Sequence, residues 1–317
     1  MTPVFQTKKL TVGYRNGTGE LRLFEDLDLQ LVPGELICFM GPNGSGKSTL
    51  IRTLAGLQQP LSGTLPPKDE KQVAVVLTDR IQSQHMVVRE LIAYGRYPYL
   101  GWDLSLSQID KDKIGSAIDL VRIGSMLDKK INELSDGQMQ MVMIARALVQ
   151  DTSILLLDEP TAHLDLNNRL EIMNLLRKLA REKNKSILLA THELDLALQT
   201  ADKVWLASGK ELKKGIPEDL VLDGSFDEVF QFKGYDLKTG KVQHEAFRKR
   251  SVTLKGEGPV LLWTKNALER NGYSVDENSA TIITIGDGDW SIENRIFRNL
   301  KGLINSLNTE HRTPNTE

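Results

Sequence analysis

A glycine-rich stretch that ends in a lysine and a serine is the part of this chain best suited to bind phosphate. It fits the pattern G-x-x-x-x-G-K-[ST] at Gly41, Gly46, Lys47 and Ser48. Glycines let the backbone curl so that several N–H groups point inward, and a helix that begins near Lys47 adds the positive end of its dipole. Lys47 would then reach the β- and γ-phosphates of a nucleotide, and the Ser48 hydroxyl would hold Mg²⁺. The predicted nucleotide-binding residues of this phosphate loop are Gly41, Pro42, Asn43, Gly44, Ser45, Gly46, Lys47, Ser48 and Thr49.

The segments on either side of the phosphate loop have the patterns that such a loop requires. Residues 36–40 form an apolar run typical of a buried strand, and residues 48–55 have the pattern of a helix. A glycine-rich turn that arose by chance would need neither the strand nor the helix. The sequence therefore predicts a strand–loop–helix unit that binds ATP with Mg²⁺.

Two adjacent carboxylates follow a second apolar run. Residues 154–157 are Ile-Leu-Leu-Leu, and Asp158 and Glu159 come directly after them. Ligands of open α/β sheets sit at such strand ends. We expect Asp158 to hold Mg²⁺, directly or through water, and Glu159 to act as the general base that polarises the attacking water. A pair of helix N-cap residues before Pro160 is the alternative, and the phosphate loop upstream favours the catalytic interpretation.

Composition bounds the class of protein. The chain has 317 residues, of which 40% are hydrophobic and 26% charged, so it can bury a large core. Its net charge of −2 gives no reason to expect nucleic acid as a partner. We find no apolar run of the roughly 18 residues that span a bilayer and no signal-like N-terminal pattern. We therefore expect a soluble cytosolic protein, in which the single cysteine, Cys38, is an inert core thiol.

Apolar segments alternate with helical patterns along most of the chain, which predicts an α/β core. The run at 153–157 is too apolar for a surface strand and suggests a parallel sheet that is covered on both faces. Helical patterns dominate residues 85–150, with a loop around 98–103. The remaining predicted strands are 3–13, 21–32, 73–77, 186–190 and 203–207, and residues 166–183 are a predicted helix.

The pattern changes after about residue 245. A basic run at 248–250 precedes a predicted small α/β unit, made of a helix at 260–271, a strand at 279–286 and a helix at 291–307. Asp287, Asp289 and Trp290 on a glycine-rich turn could form a ligand site, but an ordinary turn is the simpler interpretation.

Leu134, Ser135, Asp136, Gly137 and Gln138 complete a recognisable set of motifs. The chain resembles the nucleotide-binding subunit of an ABC transporter, whose signature LSGGQ is matched here with Asp136 in place of the first glycine. The resemblance runs from the first strand to about residue 232. It implies a homodimer closed around two ATP molecules, in which Ser135 and the Gly137 amide cap the γ-phosphate held by the other copy and Gln138 is a further nucleotide-binding residue. A simple helix N-cap by Ser135 or Asp136 is the alternative and is compatible with this role.

The resemblance assigns roles to further residues. Tyr14 matches the aromatic residue that stacks on adenine, although an edge-strand tyrosine is the alternative. Residues 162–165, Ala-His-Leu-Asp, resemble the D-loop that crosses the dimer interface, with Asp165 at the nucleotide. His192 matches the switch histidine that contacts the γ-phosphate and orients Glu159.

One position departs from the family pattern. A glutamine that contacts Mg²⁺ and the attacking water is expected after the strand at 73–77, and Thr78 takes its place. Either Thr78 acts through an added water molecule, or Gln82 or Gln84 swings into the site. The sequence leaves these alternatives open.

An aromatic segment suggests the partner. The chain has six tyrosines and four tryptophans, and four of these ten lie between residues 94 and 102. Aromatic residues on a loop suit a protein-binding surface, with local packing as the alternative. The sequence of residues 89–102 is similar to that of ATPases of importers for iron–siderophore complexes, haem and cobalamin. That similarity implies contact with transmembrane permease subunits around 79–103, an indirect partnership with a periplasmic or surface substrate-binding protein, and a cytoplasmic location on the inner face of the membrane.

The predicted architecture is an ABC ATPase fold at residues 1–245, followed by a small C-terminal α+β extension at 246–310 and a polar tail at 311–317. The ATPase fold comprises a P-loop RecA-like core, an N-terminal antiparallel β subdomain and a helical signature subdomain at about 85–150. The predicted function is ATP hydrolysis that drives uptake of an iron complex, with a ferric siderophore preferred and haem or cobalamin as alternatives. A soluble ABC ATPase without a membrane partner and a P-loop small-molecule kinase are the competing classes.

Overall fold

The computed structural model describes residues 2–17, 19–67, 71–78, 81, 83, 85–232, 235–237, 241–242, 250–286 and 288–310. It divides into two compact units, residues 1–231 and 232–317, which are treated separately below. Several predictions concern residues outside the described ranges: Gln82, Gln84, Lys249, Asp287 and the tail at 311–317.

The first unit contains eleven strands and eight helices among its described residues. The strands are β1 (Phe5–Gln6), β2 (Lys8–Asn16), β3 (Gly19–Leu27), β4 (Gln30–Leu31), β5 (Leu36–Met40), β6 (Ser62–Thr64), β7 (Val73–Val76), β8 (Ile154–Asp158), β9 (Ser186–Ala190), β10 (Lys203–Ser208) and β11 (Glu211–Gly215). The helices are α1 (Lys47–Leu54), α2 (Val88–Ala93), α3 (Gln108–Val121), α4 (Asp136–Val149), α5 (Leu166–Lys183), α6 (Leu194–Thr200), α7 (Pro217–Leu222) and α8 (Ser225–Phe230).

A six-stranded sheet in the order β11-β10-β5-β9-β8-β7 forms the centre of this unit. The pairs from β10 to β7 are parallel, and β11 is antiparallel at the edge. Every residue of β5, β8 and β9 is buried, as expected for a parallel sheet covered on both faces. The predicted α/β fold is confirmed, and the carboxyl ends of β5, β7 and β8 place the phosphate loop, Thr78 and Asp158 at one edge.

The predicted N-terminal antiparallel part is also present. β2 lies between β3 and β6 in a three-stranded sheet, and β1 pairs with β4. Its apolar side chains share one core with the central sheet, where the rings of Phe24 and Phe39 lie 5.9 Å apart between centroids. This contact fixes β3 beside the strand that leads into the phosphate loop.

The helical region between β7 and β8 is built on α4. Both α2 and α3 pack against α4, and a 3₁₀ segment, Tyr94–Tyr99, joins α2 to the loop before α3. Two further 3₁₀ turns, Gly124–Met126 and Ile131–Glu133, lead into the start of α4. Across the described residues, no helix is long and apolar enough to cross a membrane.

The second unit has its own apolar core and a five-stranded sheet in the order β15-β14-β16-β17-β18. Its elements are β12 (Tyr235–Asp236), β13 (Lys241–Val242), β14 (Arg250–Lys255), α9 (Gly258–Arg270), β15 (Tyr273–Val275), β16 (Ile282–Ile285), β17 (Trp290–Ile292), β18 (Arg295–Phe297) and α10 (Leu300–Glu310). The helix predicted at 260–271 and the strand at 279–286 correspond to α9 and β16.

The helix predicted at 291–307 is wrong over its first part. Residues 290–297 form the antiparallel hairpin of β17 and β18, and α10 begins only at Leu300. Side chains at 290, 292 and 297 face the core with the period of two that belongs to strands, and Glu293 adopts the left-handed conformation of a tight turn. The apolar residues of this stretch also fit the spacing of a helix, which is why the sequence pattern predicted one.

Candidate nucleotide site

The phosphate loop follows β5 and leads directly into α1. Gly44 and Gly46 have φ angles of +78° and +95°, a region that favours glycine. A Cβ at Gly46 would also lie 3.1 Å from the Leu23 Cδ1 and Phe24 Cε2 atoms, so a side chain there would have to displace these neighbours. Because the residue before α1 is a glycine, the first amides of this helix point into the loop without a capping side chain.

Lys47 lies under the curl of the loop and is buried. Its Nζ donates hydrogen bonds to the carbonyl oxygens of Gly41, at 2.9 Å, and Pro42, at 3.1 Å. Burial lowers the pKa of this amine, and the nearby carboxylates of Glu159 and Asp158 oppose the shift. The loop is therefore closed around a cation, as a triphosphate site requires.

Asp158 is the buried carboxylate of the site, with 1% of its surface exposed. Its Oδ1 accepts a hydrogen bond from the Ser48 Oγ at 3.0 Å, and its Oδ2 accepts one from the Thr78 Oγ1 at 3.3 Å. Burial raises the pKa of Asp158, while these two hydroxyls lower it. Mg²⁺ prefers oxygen ligands and usually binds to one or two protein groups together with phosphate oxygens. The carboxylate of Asp158 and the hydroxyl of Ser48 therefore fit the predicted ion.

Thr78 therefore contacts the same carboxylate as Ser48. Its place two residues after β7, the neighbour of β8 in the sheet, brings its short side chain within reach of Asp158. The other two side chains considered for this position, Gln82 and Gln84, lie outside the described residues.

Glu159 and His192 face each other at the ends of β8 and β9. The Glu159 amide donates to the Ala190 carbonyl at 3.0 Å, and Glu159 has a φ of +50°, an unusual backbone for a residue with a side chain. The His192 Nδ1 lies 3.7 Å from the Glu159 Oε2, and the His192 Nε2 lies 3.5 Å from the Glu193 Oε1. Such local strain is found at functional sites.

Tyr14 reaches the site from β2. Its hydroxyl shares a hydrogen bond of 2.6 Å with the Thr49 Oγ1, and the side chain remains partly exposed. The ring thus stands beside the first turn of α1, where an adenine base could stack.

The signature residues lie at the start of α4. The Ser135 Oγ accepts from the Gln138 amide at 3.3 Å, and the Gln138 Oε1 accepts from the Ser135 amide at 3.2 Å. This capping box confirms the helix-cap alternative as a contact. Among the described residues, no hydrogen bond joins Ser135 or Gln138 to the phosphate loop of the same chain.

Asp165 caps the amino end of α5, since its Oδ1 accepts from the Asn168 amide at 2.9 Å. Asn168 also packs against the signature, because a Cβ on Gly137 would lie 3.1 Å from the Asn168 Nδ2. Between these helix starts and the candidate catalytic residues lies a cavity of about 480 Å³, whose lining includes Thr78 and Glu159.

Sequence reasoning missed a buried ion pair in the aromatic segment. The Arg96 Nε lies 2.7 Å from the Asp110 Oδ1, and both side chains are less than a tenth exposed. The S-x-x-D pattern at 107–110 could have revealed a cap at Ser107, but no local pattern links residue 96 to residue 110.

Comparison with known proteins agrees with this geometry. Residues 24–162 match the ABC transporter family, and residues 248–308 match the iron ABC transporter C-terminal domain. An uncharacterised ABC transporter ATP-binding protein of Methanocaldococcus jannaschii is 38% identical over 73% of this chain and 82% of its own length. This chain belongs to the ABC transporter family. It is an ATP-hydrolysing, ATP-binding subunit, as its motifs predicted.

Other members support the same placement. The petrobactin import ATP-binding protein FpuD of Bacillus anthracis is 32% identical over 74% of this ABC subunit and 88% of its own length. In fold, the subunit resembles a metal-chelate type ABC transporter solved in an inward-facing conformation, with a TM-score of 0.66 and 25% identity over 73% of this chain and 90% of that one. The predicted ABC ATPase fold and the resemblance to the importer type are confirmed.

Proposed function

We propose that two copies of this subunit bind and hydrolyse ATP to drive uptake of an iron complex, a ferric siderophore first among the candidates, through a membrane permease. One observation carries the catalytic part: the ends of β5 and β8 bring Lys47, Ser48, Asp158 and Glu159 to one edge of the sheet. These are the cation, the hydroxyl and the two carboxylates that phosphoryl transfer to water needs.

Each residue then has a defined task. The phosphate-loop amides and Lys47 bind the β- and γ-phosphates, Tyr14 stacks on the adenine, and Ser48 and Asp158 hold Mg²⁺. When bound, Mg²⁺ neutralises negative charge that develops on the phosphate oxygens. Glu159 accepts a proton from the attacking water at its carboxylate, and His192, 3.7 Å away, orients that carboxylate. Thr78 fixes the second oxygen of Asp158.

The second copy completes each site. Ser135 and Asp136 are exposed at the amino end of α4, where helix amides can bind an anion. Since Ser135 and Gln138 form no hydrogen bond with the phosphate loop of their own chain among the described residues, we assign Ser135, Gly137 and Gln138 to the nucleotide of the partner. We assign Asp165, at the start of α5, to the same proposed interface, because its Oδ2 accepts a hydrogen bond from Asn168, which packs against Gly137.

The permease contact is proposed at an exposed aromatic surface, which we define as Tyr94, Tyr97 and Trp102. Tyr94 is 54% exposed and Tyr97 is 64% exposed, and the Trp102 side chain is fully exposed. Large exposed aromatic side chains suit a protein interface. Docking there, within the predicted contact region 79–103, would place this subunit on the inner face of the membrane, with a substrate-binding protein acting on the other side.

The cargo class rests on the relatives. The C-terminal residues match a domain described for iron ABC transporters, and one relative is named for petrobactin import. An iron complex is therefore favoured, and haem and cobalamin are retained as outcomes of the assay.

The test is reconstitution with the transmembrane permease subunits in proteoliposomes. We expect co-purification of the two proteins, ATPase activity that the permease stimulates, and ATP-dependent uptake of ferric siderophore above that of haem and cobalamin. A full-length subunit that hydrolyses ATP but neither binds the permease nor is stimulated by it would support the soluble ABC ATPase instead.

A further inference from the structure

We propose that Arg96 is a positioning residue that fixes the aromatic surface to the carboxyl end of α4, so that nucleotide binding at the amino end of α4 changes the aromatic surface. The inference rests on the proposed function, because the aromatic surface matters only if a permease docks on it. Arg96 itself touches neither nucleotide nor permease in this assignment.

The first contact of Arg96 is a buried ion pair. Its Nε donates to the Asp110 Oδ1 at 2.7 Å, and the two side chains are 6% and 7% exposed. The Asp110 Oδ2 accepts from the Ser107 Oγ at 2.6 Å and from the Ser107 amide at 2.9 Å. The Ser107 hydroxyl and then Arg96 lower the pKa of Asp110, so this carboxylate is ionised at neutral pH. The Arg96 guanidinium is thereby anchored to the start of α3.

The second contact joins Arg96 to the end of α4. The Arg96 Nη1 donates to the Val149 carbonyl at 3.0 Å, and the Tyr99 hydroxyl donates to the Gln150 carbonyl at 2.7 Å. The Arg96 Cζ also lies 3.8 Å from the centroid of the Tyr99 ring. The last carbonyls of a helix lack internal partners and carry its negative end, so a cation there is favourable.

The backbone of the segment approaches α4 equally closely. A Cβ on Gly95 would lie 2.3 Å from the Arg146 carbonyl oxygen, a distance that no side chain could occupy. The 3₁₀ segment at 94–99 is therefore held against the last turn of α4 by both backbone packing and the Arg96 hydrogen bonds.

A net gain in folding stability does not explain this ion pair. Burying two charges costs about as much as their attraction returns, and well-packed apolar residues often serve as well. The planar guanidinium contacts α3, α4 and the Tyr99 ring at the same time and so fixes their relative orientation, which a lysine could not do. A group that fixes three elements in one geometry is suited to transmit a movement of α4.

The helix that Arg96 contacts begins at the signature. α4 is continuous for 14 residues, with Ser135 capping its amino end and Val149 at its carboxyl end. One rigid element thus has a nucleotide-binding end and an end bound to the segment that carries Tyr94 and Tyr97.

Hydrogen exchange of the full-length chain tests this directly. In a Glu159→Gln background with and without MgATP, we expect ATP to slow exchange at residues 94–104. Arg96→Met should reduce that ATP-dependent protection by about fivefold or more and leave protection of the phosphate loop unchanged. A control is Lys203→Met, which removes an ion pair of 2.8 Å with Glu35 at the amino end of β10 and should retain both protections.

A second arm uses the permease in nanodiscs and chains that retain Glu159. Arg96→Met should lose about tenfold in permease-stimulated ATPase while basal ATPase stays within about twofold. If Arg96→Met does not fold, Arg96→Lys and Tyr99→Phe each remove part of the link and should give intermediate losses. Unchanged ATP-dependent protection at 94–104 in the folded Arg96 variant, or no ATP effect there in the parent chain, overturns the proposal. Failure of the permease to bind the wild-type subunit overturns the proposed function instead, and the exchange experiment still decides the role of Arg96.

Discussion

The buried charge of Asp158 lowers the stability of the fold, although the proposed Mg²⁺ site requires it. Its carboxylate is buried beside Glu159 and is held by the hydroxyls of Ser48 and Thr78. Because its pKa is raised, the folded chain keeps this proton to a higher pH than the unfolded chain does. The free energy of unfolding therefore falls as the pH rises from about 4 to the pKa of the folded state. Above that pKa the whole destabilisation by Asp158 is present.

Asp158→Asn should accordingly raise the unfolding temperature by a few degrees at neutral pH without nucleotide, because it removes a buried charge and keeps the shape. The gain should disappear at low pH, where Asp158 is protonated. MgATP hydrolysis should be lost, since the ion would lose its carboxylate. Thermal unfolding across pH and an ATPase assay check both parts; equal stability of the two proteins at neutral pH would contradict the assigned cost.

Glu159 belongs to the same scale but has a different expected phenotype. Glu159→Gln keeps size and removes the base, so turnover should fall by a factor of about 10² or more while ATP affinity stays near that of the parent. With MgATP, the variant should elute as a dimer in size-exclusion chromatography, because hydrolysis no longer separates the copies. Turnover close to normal would reject Glu159 as the base.

At the scale of elements, α4 connects the signature to the aromatic segment. Ser135 has two roles here, as the cap of α4 and as the proposed ligand of the partner's nucleotide. Ser135→Ala should cost about 1 kcal/mol of stability through the lost cap, abolish ATPase activity, and leave nucleotide affinity of the monomer unchanged.

Ser107→Ala is the matched control, because Ser107 caps α3 with a capping box of the same kind. It should lose at least as much stability, because the Ser107 Oγ also donates to the buried Asp110 carboxylate at 2.6 Å, and it should retain basal ATPase activity. Urea unfolding, nucleotide titration and ATPase assays of both variants separate the two roles. Normal hydrolysis by Ser135→Ala would remove the signature from the shared site.

For the whole molecule, the two units have separate cores, and every candidate nucleotide-site residue lies in the first. A chain ending at Gln231 should therefore fold and bind ATP with an affinity within about threefold of the full chain, which titration with a fluorescent nucleotide checks. Aggregation of this fragment, or loss of binding, would show that the C-terminal unit is needed to form the site.

Much of the catalytic site could be predicted because its chemistry is local. Lys47 and Ser48 follow a strand and open a helix, and Asp158 and Glu159 end another strand, so a short window contains both the residue types and the element that positions them. The hairpin at 290–297 could not be assigned in this way. Its short strands share a stretch whose apolar residues also fit a helix, and only pairing with β16 decides between the two.

The sequence by itself determined the phosphate loop, the paired carboxylates and the family, because these depend on residues that are close along the chain. Only the tertiary structure decided that Thr78 and Ser48 hold opposite oxygens of Asp158, and that Arg96 joins Asp110 to the end of α4. These contacts span 80, 110, 14 and 53 residues. Such partners are selected by strand order and helix packing, which bring distant residues together without leaving a local pattern.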